Sequence, residues 1–214
     1  MTFNRKSVSV TASADDPAVS AADMKEYLRV DGSGDDDLIA SFVTSATEAM
    51  KQYLRIGLLT ETFVFRMDRF ADVNPDLALM SLGGGVHDLP RSYVLGNPDR
   101  IDLPFGPLQS VTSVVTYDRA NDSSTFSSDN YQVDLQGGRV YLNEGETWPA
   151  ELRATNAVEI TYVAGYGSGS IPAPIVQAIK MYVSTLYDGT CEGVTDQMAR
   201  LVSPYRRHDE LPFS

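Results

Sequence analysis

From Asp35 to Ile56 the chain carries two apolar stripes at helical spacing, side by side. Leu38, Phe42, Ala46, Ala49 and Tyr53 recur at steps of 4, 4, 3 and 4, and Ile39, Val43, Met50 and Leu54 adjoin them. A helix with so wide an apolar surface needs cover on more than one side, and the chain offers cover from both directions. Upstream, a short helix is expected over about Ala21 to Val30, opened by Ser20 and Asp23 as a variant capping box. Asp31-Gly-Ser-Gly34 breaks it. Asp35, Asp36 and Asp37 then set negative charge at the start of the long helix, and Gly57 is expected to supply its left-handed C-terminal residue. Downstream, Pro172 and Pro174 suit a first helical turn, where a missing N–H has no partner to lose. Ile175, Ile179, Tyr182, Val183 and Leu186 give that helix an apolar face, and a last short helix is expected around Thr195 to Val202.

Between these helical segments the period changes. Phe63, Phe65 and Met67 alternate with Thr62, Val64, Arg66 and Asp68, the pattern of a strand with one buried face. Further strands are expected at Arg100 to Leu103, Val111 to Tyr117, Tyr131 to Leu135, Arg139 to Leu142 and Ala157 to Val163. Gly137-Gly138 is expected to be a two-residue hairpin turn with positive φ at both positions. The stretch from Ala71 to Gly96, with Gly83-Gly-Gly85, reads as a long loop. The expected fold class is therefore α+β. A helical core formed by residues 20–59 and 170–203 carries an inserted antiparallel β region over 60–169. A flexible Ser/Ala-rich arm (1–19) and a polar tail (204–214) complete the chain.

Charge excludes one large class of partner interaction. With 17 Lys and Arg against 29 Asp and Glu the formal charge is −12, the wrong sign for gripping nucleic acid through its phosphates. Hydrophobic residues at 43% and charged residues at 21% are ordinary globular usage. The single cysteine, Cys191, has no intramolecular partner, which fits folding in a reducing cytoplasm. No apolar run approaches the roughly 18 residues of a membrane span. Arg5 and Lys6 are followed by no apolar stretch, so the N-terminus does not read as a signal peptide.

The constellations that might carry chemistry fail on inspection. Asp31-x-Ser33-x-Asp35-x-Asp37 begins like a calcium loop, but position six is Asp36 where Gly is needed and position twelve is Phe42 where a bidentate Glu is needed. Gly165-Tyr-Gly167-Ser-Gly169 joins a strand to a helix with the wrong spacing for a dinucleotide loop, and reads as a glycine-rich joint between sheet and helix. His87 and His208 have no partners at metal-ligand spacing. Cys191 has the acidic neighbour Glu192, which raises rather than lowers a thiol pKa, and no serine sits in a G-x-S-x-G elbow. Glu144 and Glu146 read as a solvated loop, and Trp148-Pro149 as a packing anchor. The chain is accordingly expected to be no enzyme, with no catalytic residue, no cofactor and no metal.

Several segments, in order, resemble the tailed-phage head-to-tail connector (adaptor) family, in its long branch with a β insertion that includes gene transfer agent adaptors. They are Met24-Lys-Glu-Tyr-Leu-Arg-Val-Asp31 with Asp35-Asp-Asp-Leu-Ile39, Leu103-Pro-Phe-Gly-Pro-Leu108 with Ser110-Val-Thr-Ser-Val114, and Tyr131-Gln-Val-Asp134. Trp148-Pro149, Tyr162-Val-Ala-Gly-Tyr-Gly167, Pro172-Ala-Pro-Ile-Val-Gln-Ala-Ile179 and Leu201-Val-Ser-Pro-Tyr-Arg206 follow. The resemblance implies a homo-oligomeric ring, usually of twelve subunits, in the virion neck beneath the portal protein, assembled in the bacterial host cytoplasm. It implies a stopper or tail-completion protein on the other side, double-stranded DNA passing through without specific binding, and no membrane. It also implies that the C-terminal segment reaches the portal, which is carried onto Leu201, Val202, Pro204, Tyr205 and Arg206. The alternative from another class is a carbohydrate- or receptor-binding module, with Trp148, Tyr162 and Tyr166 as stacking platforms.

Overall fold

The computed structural model describes residues 6–12, 17–70, 99–167, 169–190 and 193–207. The loop expected over 71–96, with His87, lies outside the described residues, as do Cys191 and His208. In chain order the elements are β1 (Lys6–Ala12), α1 (Ala21–Leu28), α2 (Asp36–Leu54), β2 (Glu61–Met67), β3 (Arg100–Asp102), β4 (Leu108–Tyr117) and β5 (Ser123–Phe126). After them come β6 (Tyr131–Asp134), β7 (Arg139–Leu142), β8 (Val158–Ala164), α3 (Ala173–Tyr187) and α4 (Asp196–Val202). The architecture is α+β, as the two periodicities require.

Helices from the two ends of the chain cover one another. α2 lies against α3, α1 touches both, and α4 packs on α3. Ile39, Val43, Ala46, Met50 and Leu54 are at most 2% exposed and share one core cluster with Ile175, Ala178, Ile179 and Val183. The two stripes of α2 are thus unequal. In the first stripe only Ala46 is fully buried, Leu38 is 46% exposed, and Phe42, Ala49 and Tyr53 are half-buried, because α1 and α3 close over the other stripe. The capping of α1 is as expected: Ser20 Oγ accepts from the Asp23 N–H at 3.0 Å and donates to its carboxylate at 2.7 Å.

α2 ends earlier than expected, and Arg55 rather than Gly57 takes the left-handed position, with φ 57°. Gly57 is needed for something else. Its N–H donates to Gly106 O at 3.0 Å, and a Cβ there would lie 2.9 Å from Gly165 Cα and 3.1 Å from Phe105 O. Gly165, with φ 120°, is tighter still, since a Cβ would sit 1.8 Å from Leu59 O. Its N–H donates to Pro107 O at 2.8 Å. Where the helices meet the sheets, backbone therefore rests on backbone, and the strap Leu103–Leu108 is the piece both glycines grip.

The larger sheet has the order β1-β2-β8-β4-β5 and the smaller one β3-β7-β6, with every neighbouring pair antiparallel. Phe63, Phe65 and Met67 stand opposite Tyr162, Ile160 and Val158 on β8, and all six are at most 1% exposed. Phe63 stacks on both Phe105 and Tyr162, which carries the sheet core up to the strap. Two expectations are corrected here. Residues 6–12, expected within a flexible arm, form β1 along β2, as the Ser/Val alternation from Ser7 to Val10 permits. The β6–β7 turn spans four residues, 135–138, with Asp134 opposite Arg139, and only Gly138 has positive φ. Gly137 instead donates its N–H to Asp134 Oδ1 at 2.8 Å, and a Cβ there would require the Asp134 carboxylate to move.

One buried ion pair links α2 to β2. Lys51 Nζ lies 2.7 Å from Glu61 Oε2 and 2.8 Å from Oε1, with the two side chains 7% and 3% exposed. Removing one partner strands the other charge, at a cost of about 3–5 kcal/mol, whereas an apolar pair of similar volume fills the site without that penalty. Glu61→Leu is expected near the lower end of that range, since Glu48 still reaches Lys51 at 3.3 Å. Lys51→Met combined with Glu61→Leu is expected to recover most of the loss, and urea unfolding of the three proteins measures both effects.

The Tyr162 hydroxyl donates to Pro104 O at 2.7 Å, and burial pushes this phenol far above its ordinary value. The folded state therefore holds a proton that the unfolded chain releases above a pH of about 10. Stability contributed by this group is full below that pH and is lost as pH rises through the alkaline range. Thermal denaturation between pH 8 and 11 should show a steeper alkaline loss for the natural chain than for Tyr162→Phe.

Candidate functional site

The C-terminal segment owes its position to a short helix and two arginines. Thr195 opens α4, its hydroxyl accepting from the Met198 N–H at 3.5 Å. Met198 and Val202, one helical turn apart, point into the helical core at 1% and 0% exposure. Leu201 lies on the other side at 37% exposure. A single 3-10 turn, Ser203–Tyr205, follows with Pro204 exposed and Tyr205 packed against the helical core. The Arg206 guanidinium lies over the Tyr53 ring, 4.7 Å from its centroid. Arg207 donates its N–H to Leu54 O at 3.0 Å, satisfying a carbonyl at the end of α2, and its guanidinium donates to Leu103 O on the strap at 3.2 Å.

The five residues expected to form a docking patch are therefore divided. Leu201, Pro204 and Arg206 present a small apolar and cationic surface, Tyr205 is half-buried behind it, and Val202 belongs to the core. Sequence reasoning missed Arg207, the residue that fastens the segment. The available signal was a second arginine directly after a Pro-Tyr turn, in a chain whose long helix must end in free carbonyls.

The other sequence candidates have structural duties. Lys25 pairs with Asp36 at 2.7 Å and also donates to Gly32 O, and Asp35 accepts from the Tyr187 hydroxyl at 2.9 Å. The acid-rich 31–37 segment thereby ties α1 and α3 to the start of α2. The glycine loop after β8 rests on the carbonyl of Leu59, and Gln109 donates to Gly165 O at 2.7 Å, so Gly165 is held by protein acceptors and donors. Among the described residues no three His, Cys, Asp or Glu side chains are grouped to hold a metal ion. No described helix is long and apolar enough to cross a membrane.

None of the three aromatic residues considered as a stacking platform is free to act as one. Tyr162 is fully buried, Trp148 stacks on Phe70 with centroids 4.3 Å apart, and Tyr166 packs against the helical core. Burial raises the Tyr166 phenol above its usual range, and the neighbouring Tyr205 adds to the shift. Trp148 and Tyr166 are half-buried against neighbouring apolar groups, and this packing gives no support to a sugar-binding reading.

Comparison with known proteins agrees with this arrangement of helices, strap and sheets. The family model for phage gp6-like head-tail connector proteins matches residues 20–139, from the α1 cap to the first residue of β7. No curated protein matches the chain. Among solved structures, a chain from the neck of an empty gene transfer agent particle, computed with C6 symmetry, superposes with a TM-score of 0.71 at 16% identity. That match covers 97% of this chain and 98% of the other. A chain from the virion of a native gene transfer agent particle gives a TM-score of 0.65 at 17% identity, covering 96% and 98%. A chain from the native particle's neck, computed with C12 symmetry, gives 0.63 at 17% identity over the same shares. With more than half of its residues matched by the family model, and a strap and helical core in the order the resemblance requires, the chain belongs to the phage gp6-like head-tail connector family.

Proposed function

We propose that the chain is a non-enzymatic ring subunit of the virion neck, seated beneath the portal of a tailed phage or gene transfer agent particle. Twelve copies surround the DNA path, a stopper or tail-completion protein follows on the tail side, and assembly takes place in the bacterial host cytoplasm. The observation that carries this reading is the family match over residues 20–139. The near-complete overlap with chains of gene transfer agent particles supports it at the level of fold.

The charge distribution supports a passive DNA path. Residues 99–167 hold ten acidic against four basic side chains, whereas residues 169–207 hold three acidic against four basic. Half of the formal charge of −12 thus falls in residues 99–167, and the first helical segment, residues 20–59, is acidic as well, with seven acidic against four basic side chains. Repeated around a ring, an acidic wall repels a polyanion and lets it slide with few adhesive contacts. A connector ring with a basic lumen and its acidic loops on the outer surface would overturn this part of the reading.

Portal docking is assigned to the exposed side of the C-terminal segment: Leu201, Pro204 and Arg206, continued by the tail beyond Arg207. Val202 and Tyr205 support that surface from beneath. A cut before Leu201 removes Val202 from the core and Arg207 from the strap, and is expected to unfold the helical layer. A chain ending at Arg207 keeps both. It is expected to melt within a few degrees of the full chain, and Arg206→Glu in that shortened chain to lower portal binding at least about tenfold, the size of a lost hot-spot contact. Mixing purified chain with portal rings and sizing the product tests this. Full-strength portal binding by the shortened Arg206→Glu chain would remove the C-terminal segment from the portal interface.

A further inference from the structure

β1 is an unusual edge strand. Of its seven residues only Lys6 and Val8 are even half-buried, so its side chains anchor it weakly. The backbone ladder to β2 holds it, and its side-chain contacts include Arg66 Nη1 donating to Ser9 Oγ at 3.0 Å and Thr11 Oγ1 donating to Thr62 O at 3.2 Å. β2 has the opposite character. Phe63, Val64, Phe65 and Met67 are all at most 5% exposed, so both of its faces are covered and it behaves as an interior strand. Without a neighbour on its outer edge, β2 would present an apolar strand with unpaired N–H and C=O groups, the kind of edge that recruits another chain.

Two further features concern who fills that edge. Val10 lies opposite Phe63, on the core side of the sheet, yet is 44% exposed, so the apolar face continues outward past the ladder at β1. Residues 13–20 join β1 to α1 and span about 27 Å when extended. Direct sheet-to-sheet joining between copies is disfavoured, because the two outer edges are blunted. β1 has a register irregularity between Val10 and Ala12, and the half of β4 left uncovered by β5 has two, at Leu108/Ser110 and Val111/Ser113.

We propose that β1 is an exchangeable strand: in the assembled connector, β1 of one copy lies on β2 of the adjacent copy, in the register it adopts on its own chain. The partner is a second copy of this chain, and the inference rests on the ring reading above. Exchange costs no ladder hydrogen bond, because the same strand fills the same slot. It converts a weakly anchored arm into a head-to-tail link between copies, a relation that closes a ring. It also brings the seam between two copies onto Val10.

Cysteines placed at Ser9 and Val64, which are cross-strand partners, test this in a Cys191→Ser background. Opposite positions on antiparallel strands suit a disulfide. In the dilute monomer the doubly substituted chain should close a bond within itself. In rings assembled on portal from an equal mixture of Ser9→Cys chains and Val64→Cys chains, a bond can form only between copies. Exchange predicts that about half of the Ser9→Cys chains are captured, the share that random head-to-tail mixing seats beside a Val64→Cys neighbour. Rings of normal size with no captured pairs overturn the exchange and leave the connector reading standing. Failure of the unsubstituted chain to form rings on portal overturns both.

Discussion

The fold depends on how closely two backbones can approach at the junction of its helical and β layers. Gly57 lies against Gly165 and the Phe105 carbonyl, and Gly165 against the Leu59 carbonyl, with no space for a side chain on either residue. This contact sets the depth of the strap Leu103–Leu108. The strap then places Phe105 on Phe63, offers Pro104 O to the Tyr162 hydroxyl, and offers Leu103 O to Arg207. The Lys51–Glu61 pair lies beside the same junction and holds α2 to β2 by charge. A larger residue at either glycine would part the layers and disturb all four interactions together.

Much of the fold was legible because its elements have strong periods. α2 and α3 follow an apolar spacing of three and four, and β2 and β8 alternate, so these elements lie within a few residues of expectation. The misses have physical causes. β1 has the alternation of a strand but almost no buried surface, and β5, Ser-Ser-Thr-Phe, has only one apolar residue, so neither carries the hydrophobic signal that marks a strand. Local sequence marks Gly57 as a helix terminator, because glycine usually serves that role. Its real constraint comes from Phe105 and Gly165, 48 and 108 positions away, which local reasoning cannot supply. Arg55 accepts the left-handed conformation in its place, as Arg29 does at the end of α1.

The candidate site was partly legible for the same reason. A Pro-Tyr-Arg turn signals exposure at Pro204 and Arg206, but the burial of Val202 and the exposure of Leu201 both depend on how α4 rolls against α3. The acid run at Asp35–Asp37 was correctly read as a helix opening. Its tertiary partners, Lys25 and Tyr187, come from helices on either side of it in the chain. Family resemblance and physical reading converge on the strap, whose Pro-Phe-Gly-Pro core combines a stacked ring with close backbone contacts.

Arg207 also determines how the molecule transmits force. A pull on the chain beyond it arrives first at two backbone carbonyls, Leu54 at the end of α2 and Leu103 at the start of the strap. These belong to different layers, so the load is divided between helices and sheet before it can peel α4 from the core. Val202, buried directly upstream, acts as a second stop. A tail fixed to a neighbouring protein would therefore tug on the whole subunit as one body.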